Sequence, residues 1–228
     1  MVKYLLFDID DTLFPSTEFS SLARRNALNA IIGMGFESDF GALESKLKAI
    51  IAKKGSNYPN HFDDLCRNLG VREPGRFVAA AVAAYHDTKT SIAPYPKVPL
   101  TLLNLRENGY RLYAATQGNS IKQWDKLIRL RIALYFEGVF VSEELGEDKG
   151  PGFYRKILKV LDAKPQDCIM VGDREDGDIA PAKEVGLMTI RIKSGKHADV
   201  PTEADFTVTD ISQIPAIIQG LRASKKDL

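Results

Sequence analysis

Cysteine and histidine are scarce in this sequence of 228 residues, which contains two cysteines and three histidines. Cys66 and Cys168 are far apart, and each lies in a segment of apolar periodicity. That setting favours two buried, reduced thiols over a disulfide or a metal site. His61, His86 and His197 are expected on helix surfaces or in a loop rather than as ligands. The sequence therefore indicates no centre built on thiolates or imidazoles.

An excess of either charge is also missing. The 31 lysines and arginines nearly balance the 30 aspartates and glutamates, and a net charge of +1 gives no sign of a nucleic-acid or membrane surface. No apolar run approaches the length that crosses a bilayer. The chain begins with Met1-Val2-Lys3-Tyr4 and enters a strand-like run without the layout of a signal peptide. We therefore expect a cytoplasmic protein with no nucleic-acid and no membrane partner.

What the sequence does contain is a series of short apolar runs bounded by turn residues. Such runs are typical of parallel strands that are buried between layers of helices. Helical patterns fall between them, and this alternation predicts an α/β fold with a doubly wound parallel sheet. The predicted strands are 4–7, 111–115, 139–141, 169–171 and 188–192, and 206–208 is a candidate edge strand.

Residues 14–94 depart from this alternation, because only helical patterns occur there. An amphipathic face is clearest in the second of these helices, where the apolar residues are Leu43, Leu47, Ile50 and Ile51. We expect an all-helical cap domain of residues 14–94, inserted after the first strand of an α/β core formed by residues 1–13 and 95–228. The predicted helices of the insertion are 16–34, 39–53, 60–69 and 73–86.

Polar side chains follow the predicted strands at the points where they end. In open α/β sheets, ligands bind beyond the carboxyl ends of the strands, so these residues are expected to converge on one site. Asp11 and Asp176 are exceptions, because aspartates in such positions often only cap turns. The candidate functional residues are Asp8 and Asp10 after the first strand, Thr116, Gln117 and Gly118 after the second, Lys149 beyond the third, and Asp173 and Asp178 after the fourth.

Several carboxylates gathered at one edge cannot all stay ionised without a cation between them. A set of oxygen ligands without histidine or cysteine favours a hard ion, Mg²⁺ above all. Asp8 and Asp173 can each supply a carboxylate oxygen, and the backbone carbonyl of Asp10 can supply a third ligand. Asp178 is better suited to orient Asp173 or a bound water. The sequence therefore predicts a magnesium site.

The remaining candidates suit phosphoryl transfer, which depends mostly on positioning and on neutralising charge. Asp8 is the predicted nucleophile. Asp10, two residues on, can protonate the leaving alcohol and then activate the water that hydrolyses the intermediate. The predicted phosphate ligands are the hydroxyl of Thr116, the backbone amides of Gln117 and Gly118, and the ammonium group of Lys149.

These residues together resemble the four motifs of the haloacid dehalogenase (HAD) superfamily, over nearly the whole chain. The first motif of the phosphatases in this superfamily is Asp-x-Asp-x-Thr, and it is matched by Asp8, Asp10 and Thr12. The second motif is a strand that ends in Thr or Ser, and the third is a lysine. The further matches are Thr116 for the second motif, Lys149 for the third, and Gly172, Asp173 and Asp178 for the Gly-Asp-x-x-x-x-Asp of the fourth. The helical insertion resembles the cap domain of the first type in this family.

The resemblance implies a Mg²⁺-dependent phosphatase that forms an aspartyl-phosphate and acts on a small phosphorylated sugar, acid or aldehyde. Its motif style is similar to the phosphoglycolate and glyceraldehyde-3-phosphate phosphatase branches. Three positions depart from the common pattern. Gln117 stands where relatives often have asparagine, Asp11 stands where they often have glycine, and Gly150 separates Lys149 from Pro151. A phosphomutase of the same superfamily is one alternative. A signalling receiver domain is another, although its phosphorylated aspartate follows a middle strand and Asp8 follows the first.

Overall fold

The computed structural model describes residues 2–56 and 58–223. Two compact units make up the chain. The first combines Met1–Thr17 with Ala93–Leu228, and the second is Glu18–Ile92. The helices in chain order are α1 (Ser16–Gly33), α2 (Phe40–Lys54), α3 (His61–Asn68), α4 (Gly75–Thr90), α5 (Val98–Glu107), α6 (Ser120–Arg129), α7 (Ser142–Leu145), α8 (Pro151–Leu161), α9 (Ala180–Glu184) and α10 (Ile214–Ala223).

A six-stranded parallel sheet organises the first unit. Its strands are β1 (Tyr4–Phe7), β2 (Arg111–Thr116), β3 (Gly138–Val141), β4 (Cys168–Gly172), β5 (Met188–Ile192) and β6 (Phe206–Val208). They lie in the order β3-β2-β1-β4-β5-β6, and every neighbouring pair is parallel. The chain leaves β1 toward one edge of the sheet and continues from β4 toward the other, which creates a switch point between these two strands. The predicted doubly wound α/β fold is confirmed, and 206–208 is an edge strand.

The centre of this sheet is buried on both faces. Leu5, Leu6 and Phe7 of β1 are fully buried, and every residue of β4 is buried. Their packing partners include aromatic residues of α8, Phe153 and Tyr154. Burial on both faces explains why β1 and β4 appear in the sequence as continuous apolar runs rather than alternating ones.

The second unit is helical and has its own apolar core. The start of α2 is marked by Asp39, whose carboxylate accepts a hydrogen bond from the amide of Ala42 and so caps the helix. The core residues are Ala27, Leu28, Ile31, Leu43, Leu47, Ile50, Phe62, Leu65, Cys66, Phe77 and Ala81. The four predicted helices are present, but α4 continues to Thr90 rather than ending at His86, since its last turn is polar and no glycine or proline interrupts it.

Both cysteines are buried and free, as predicted. Among residues 2–56 and 58–223, no helix combines the length and the apolar character that a membrane span requires.

Candidate active site

Asp8 lies at the switch point of the sheet, directly after β1. Its backbone amide donates to the carbonyl of Val171 (2.9 Å), which continues the pairing of β1 with β4 past the last strand residue. The ammonium group of Lys149 lies 2.5 Å from Oδ1 of Asp8 and also contacts the carboxylate of Asp178. The side chain of Lys149 is only 6% exposed, so both contacts are made away from bulk solvent. Residues 141 positions apart thus meet at one point, as the sequence predicts for the carboxyl edge.

The turn after β4 brings Asp173 and Asp178 to the same place. Asp178 belongs to a turn of π-helix, Glu175–Ile179. Its Oδ2 accepts a hydrogen bond from the backbone amide of Arg174 (2.9 Å). Gly172 makes room for it, because a Cβ atom at Gly172 would lie 2.3 Å from Cγ of Asp178. This close approach gives a steric reason for the glycine of the Gly-Asp-x-x-x-x-Asp pattern.

Three buried carboxylates form an acidic cluster. Asp8, Asp173 and Asp178 each offer an oxygen atom within 4.8 Å of the others. Burial raises the pKa of Asp8 to about 7, and the neighbouring carboxylate of Asp178 adds to this while Lys149 opposes it. Burial likewise raises the pKa of Asp173 to about 8, helped by the charges of Asp8 and Asp178. Crowded, desolvated carboxylates of this kind resist ionisation unless a cation lies among them.

The cluster fits the predicted magnesium ion. Oδ1 of Asp173 is buried and finds no hydrogen-bond partner within the part of the chain that the structure describes. A buried carboxylate oxygen without a partner is costly, and a cation would satisfy it. All the ligand atoms on offer are oxygens, which is the set that Mg²⁺ prefers.

Gln117 and Gly118 follow β2 as predicted, whereas Thr116 is the last residue of that strand, one residue beyond the predicted end. The polar groups of the three residues differ in whether the protein already occupies them. Thr116 is buried at the end of β2. The side chain of Gln117 makes two hydrogen bonds to the loop that carries Lys149. It donates a hydrogen bond to the carboxylate of Asp148 (2.6 Å) and accepts one from the backbone amide of Lys149 (2.6 Å). The amide of Gly118 donates to the hydroxyl of Ser142 (2.8 Å), so in this arrangement it is engaged within the protein.

Asp10 is brought to the same edge but turns toward α6. Nζ of Lys126 lies 2.7 Å from Oδ1 and 2.6 Å from Oδ2 of Asp10. Lys126 is not among the functional residues predicted from the sequence. A signal was available, because Asn119 caps α6 and the apolar positions after it have helical spacing, but no motif marks the lysine.

Two aspartates were expected only to cap turns. Asp11 does so, since it accepts hydrogen bonds from the amide (2.9 Å) and hydroxyl (2.5 Å) of Thr17 at the start of α1. Asp176 also interacts within its own turn, as expected for a structural aspartate. Its carboxylate pairs with the guanidinium group of Arg174 (2.8 Å and 3.0 Å), because that long side chain reaches back along the same turn.

Comparison with known proteins identifies the family. A model of haloacid dehalogenase-like hydrolases matches residues 2–186. The chain belongs to the haloacid dehalogenase-like hydrolase family. It is 45% identical to a glyceraldehyde 3-phosphate phosphatase of Methanopyrus kandleri over the full length of both proteins. It is also 40% identical to the protein of the same name from Methanocaldococcus jannaschii, over 97% of this chain and 99% of the relative.

The fold comparison agrees. A haloacid dehalogenase-like hydrolase of Xanthomonas campestris superposes with a TM-score of 0.75, at 19% identity, over 100% of this chain and 99% of that one. This HAD-family protein is therefore a phosphatase with the fold of its family, as the motifs predict. Membership in a hydrolase family also removes the receiver-domain alternative.

Proposed function

We propose that this HAD phosphatase hydrolyses glyceraldehyde 3-phosphate, or a closely similar small phosphorylated aldehyde, with Mg²⁺ and through an aspartyl-phosphate on Asp8. The observation that carries the proposal is the 45% identity with a glyceraldehyde 3-phosphate phosphatase along the entire chain. The meeting of Asp8, Lys149 and the acidic cluster at the carboxyl edge of the sheet supports the mechanism.

In the first step, a carboxylate oxygen of Asp8 attacks phosphorus, and the bond from phosphorus to the substrate oxygen breaks. Asp10 gives its proton to that oxygen, so the sugar leaves as a neutral alcohol. Lys149 lies beside the attacking carboxylate and offsets negative charge on the phosphoryl group. The hydroxyl of Thr116 is assigned to a phosphate oxygen of the substrate.

In the second step, Asp10 takes a proton from water while the water oxygen attacks the phosphorus of the phosphoenzyme. The bond between phosphorus and Asp8 then breaks, which releases inorganic phosphate and restores the carboxylate. Asp8, Asp173 and the backbone carbonyl of Asp10 would hold the magnesium ion, with Asp178 orienting Asp173. When bound, the ion supplies positive charge that lets these carboxylates and a phosphate share one site.

The test is phosphate release from a panel of phosphorylated metabolites, with Mg²⁺ and with excess chelator. We expect the highest kcat/KM for glyceraldehyde 3-phosphate, no turnover in chelator, and no turnover by Asp8→Asn. Mass spectrometry of rapidly quenched wild-type protein should find phosphate on the peptide that contains Asp8. Full activity in chelator or in Asp8→Asn contradicts the mechanism. Conversion of a sugar phosphate to an isomer without free phosphate would instead identify a phosphomutase.

A further inference from the structure

The ammonium group of Lys126 is fully occupied by two partners. An ammonium has three N–H donors. In this structure three acceptors surround Nζ of Lys126: Oδ1 of Asp10 at 2.7 Å, Oδ2 of Asp10 at 2.6 Å and Oε1 of Gln123 at 3.1 Å. Its side chain is 25% exposed, and the ring of Phe14 lies 5.9 Å from the charge. Lys126 is therefore placed to hold Asp10 rather than to project into solvent.

The orientation of Gln123 is itself fixed. This residue is buried, and its Nε2 donates to the backbone carbonyl of Gln117 (2.7 Å). That bond leaves Oε1 as the end of the amide that faces Lys126, so the amide cannot turn without losing both contacts. The amide of Gln123 also packs closely against Gly118, since a Cβ atom on Gly118 would lie 3.0 Å from Nε2 of Gln123. The loop after β2 thus anchors Gln123, and Gln123 orients Lys126.

We propose that Lys126, oriented by Gln123, is a positioning residue that holds the carboxylate of Asp10 where it exchanges protons with the leaving oxygen and with water. The inference rests on the proposed function, because that function gives Asp10 the proton transfers. Asp10 lies in a loop and its side chain is 39% exposed, so without a partner it would sample several rotamers. Holding a reacting group in one geometry is a large part of what an active site contributes to rate.

The contact also leaves Asp10 able to react. Each carboxylate oxygen has two lone pairs, and Lys126 uses one on each oxygen. One of the remaining lone pairs can carry the proton that passes to the leaving oxygen in the first step, and can accept a proton from water in the second. A lysine that served only the surface stability of α6 would have no reason to occupy both oxygens of this residue.

The test compares Lys126→Met with Lys122→Met, which removes an exposed lysine one turn earlier on the same helix. With an alkyl phosphate substrate, we expect Lys126→Met to lower kcat about tenfold, a part of the hundred- to ten-thousandfold that a positioned acid–base group contributes. KM should stay within about twofold, and Lys122→Met should match the wild type. With an activated aryl phosphate, whose leaving group needs no proton, phosphorylation of Asp8 should proceed at the wild-type rate and its hydrolysis should be slow.

Two further variants separate positioning from other roles. Lys126→Arg should recover most of the lost kcat, because a guanidinium can also bind both carboxylate oxygens. The double variant Asp10→Asn/Lys126→Met should be no slower than Asp10→Asn alone. A raised KM with unchanged kcat in Lys126→Met would show that Lys126 binds substrate. If Lys126→Met slowed the phosphorylation of Asp8 by the aryl phosphate as much as it slows turnover of the alkyl phosphate, the substitution would disturb the site in general. Either result overturns the proposal. Failure of the proposed function would give a different result: either the wild-type protein would show no phosphatase turnover, or Asp8→Asn would remain active.

Discussion

At the scale of single residues, Gly172 sets a steric condition for the site. A Cβ atom there would lie 2.3 Å from Cγ and Oδ2 of Asp178, so Gly172→Ala must displace that carboxylate. Overpacking of this kind typically costs about 1–3 kcal/mol of the free energy of unfolding. We expect that loss in urea unfolding. We also expect a fall in phosphatase turnover, because Asp178 contacts Lys149.

Gly177→Ala is the matched control, because Gly177 lies five residues after Gly172, in the turn that follows β4. A Cβ atom at Gly177 would find its nearest neighbours in Arg174 at 3.7 Å, which is ordinary van der Waals contact. Its stability should therefore equal or slightly exceed that of the wild type. Similar losses in both variants would show that the close approach to Asp178 is not what requires a glycine at position 172.

Residues of the site differ in how far the sequence could identify them. Asp8, Lys149 and Asp178 could be predicted together, because each follows a strand and parallel strands deliver their ends to one edge. Lys126 could not, since it lies within helix α6 rather than after a strand. A lysine on a helix surface has the same sequence pattern whether it faces solvent or a carboxylate.

At the scale of elements, the ends of β1 and β4 carry carboxylates that make the ion-free protein sensitive to pH. Burial raises the pKa of Asp8 to about 7 and that of Asp173 to about 8. An aspartate in an unfolded chain titrates at about 3.9. Between these values the folded protein holds more protons than the unfolded chain, so its free energy of unfolding must fall as pH rises.

We therefore expect wild-type protein in chelator to lose stability from pH 5.5 to pH 8, and Asp173→Asn to lose less, because its amide carries no charge to desolvate. Mg²⁺ should reduce the loss in the wild type. Urea unfolding at the two pH values measures this, with Asp199→Asn, an exposed position, as the control. An equal decline in wild type and Asp173→Asn would show that Asp173 is not buried against like charge.

The secondary structure of the sheet was predictable from the sequence. Apolar runs indicated all six strands. Burial on both faces explains the runs in β1, β2, β4 and β5, whereas β3 and β6 are only partly buried. The helix α6 was not predicted, although its apolar residues Ile121, Trp124 and Ile128 have helical spacing. Its capping residue, Asn119, was the available signal. The predicted end of α4 at residue 86 was too early, because the sequence from 86 to 90 contains no glycine or proline that would stop a helix.

At the scale of the whole molecule, the chain leaves the sheet unit and returns to it at neighbouring points. The amide of Tyr95 donates to the carbonyl of Leu13 (3.0 Å), so the outgoing and incoming segments are paired. The intervening Glu18–Ile92 has its own apolar core, and the sheet unit has another. A short linker could therefore join Thr17 to Ala93 without stretching the sheet unit.

We expect the helical unit to act as the lid that selects the substrate and excludes water from the reaction. Replacing Glu18–Ile92 by a short glycine-serine linker should then keep slow hydrolysis of an activated aryl phosphate, because Asp8, Lys149 and the acidic cluster all remain. The preference for glyceraldehyde 3-phosphate over other phosphate esters should disappear. The ratio of kcat/KM values across the panel measures this, and Asp8→Asn in the shortened protein is the control for contaminating phosphatase. A shortened protein with the wild-type order of substrates would show that specificity resides in the sheet unit and not in the helices.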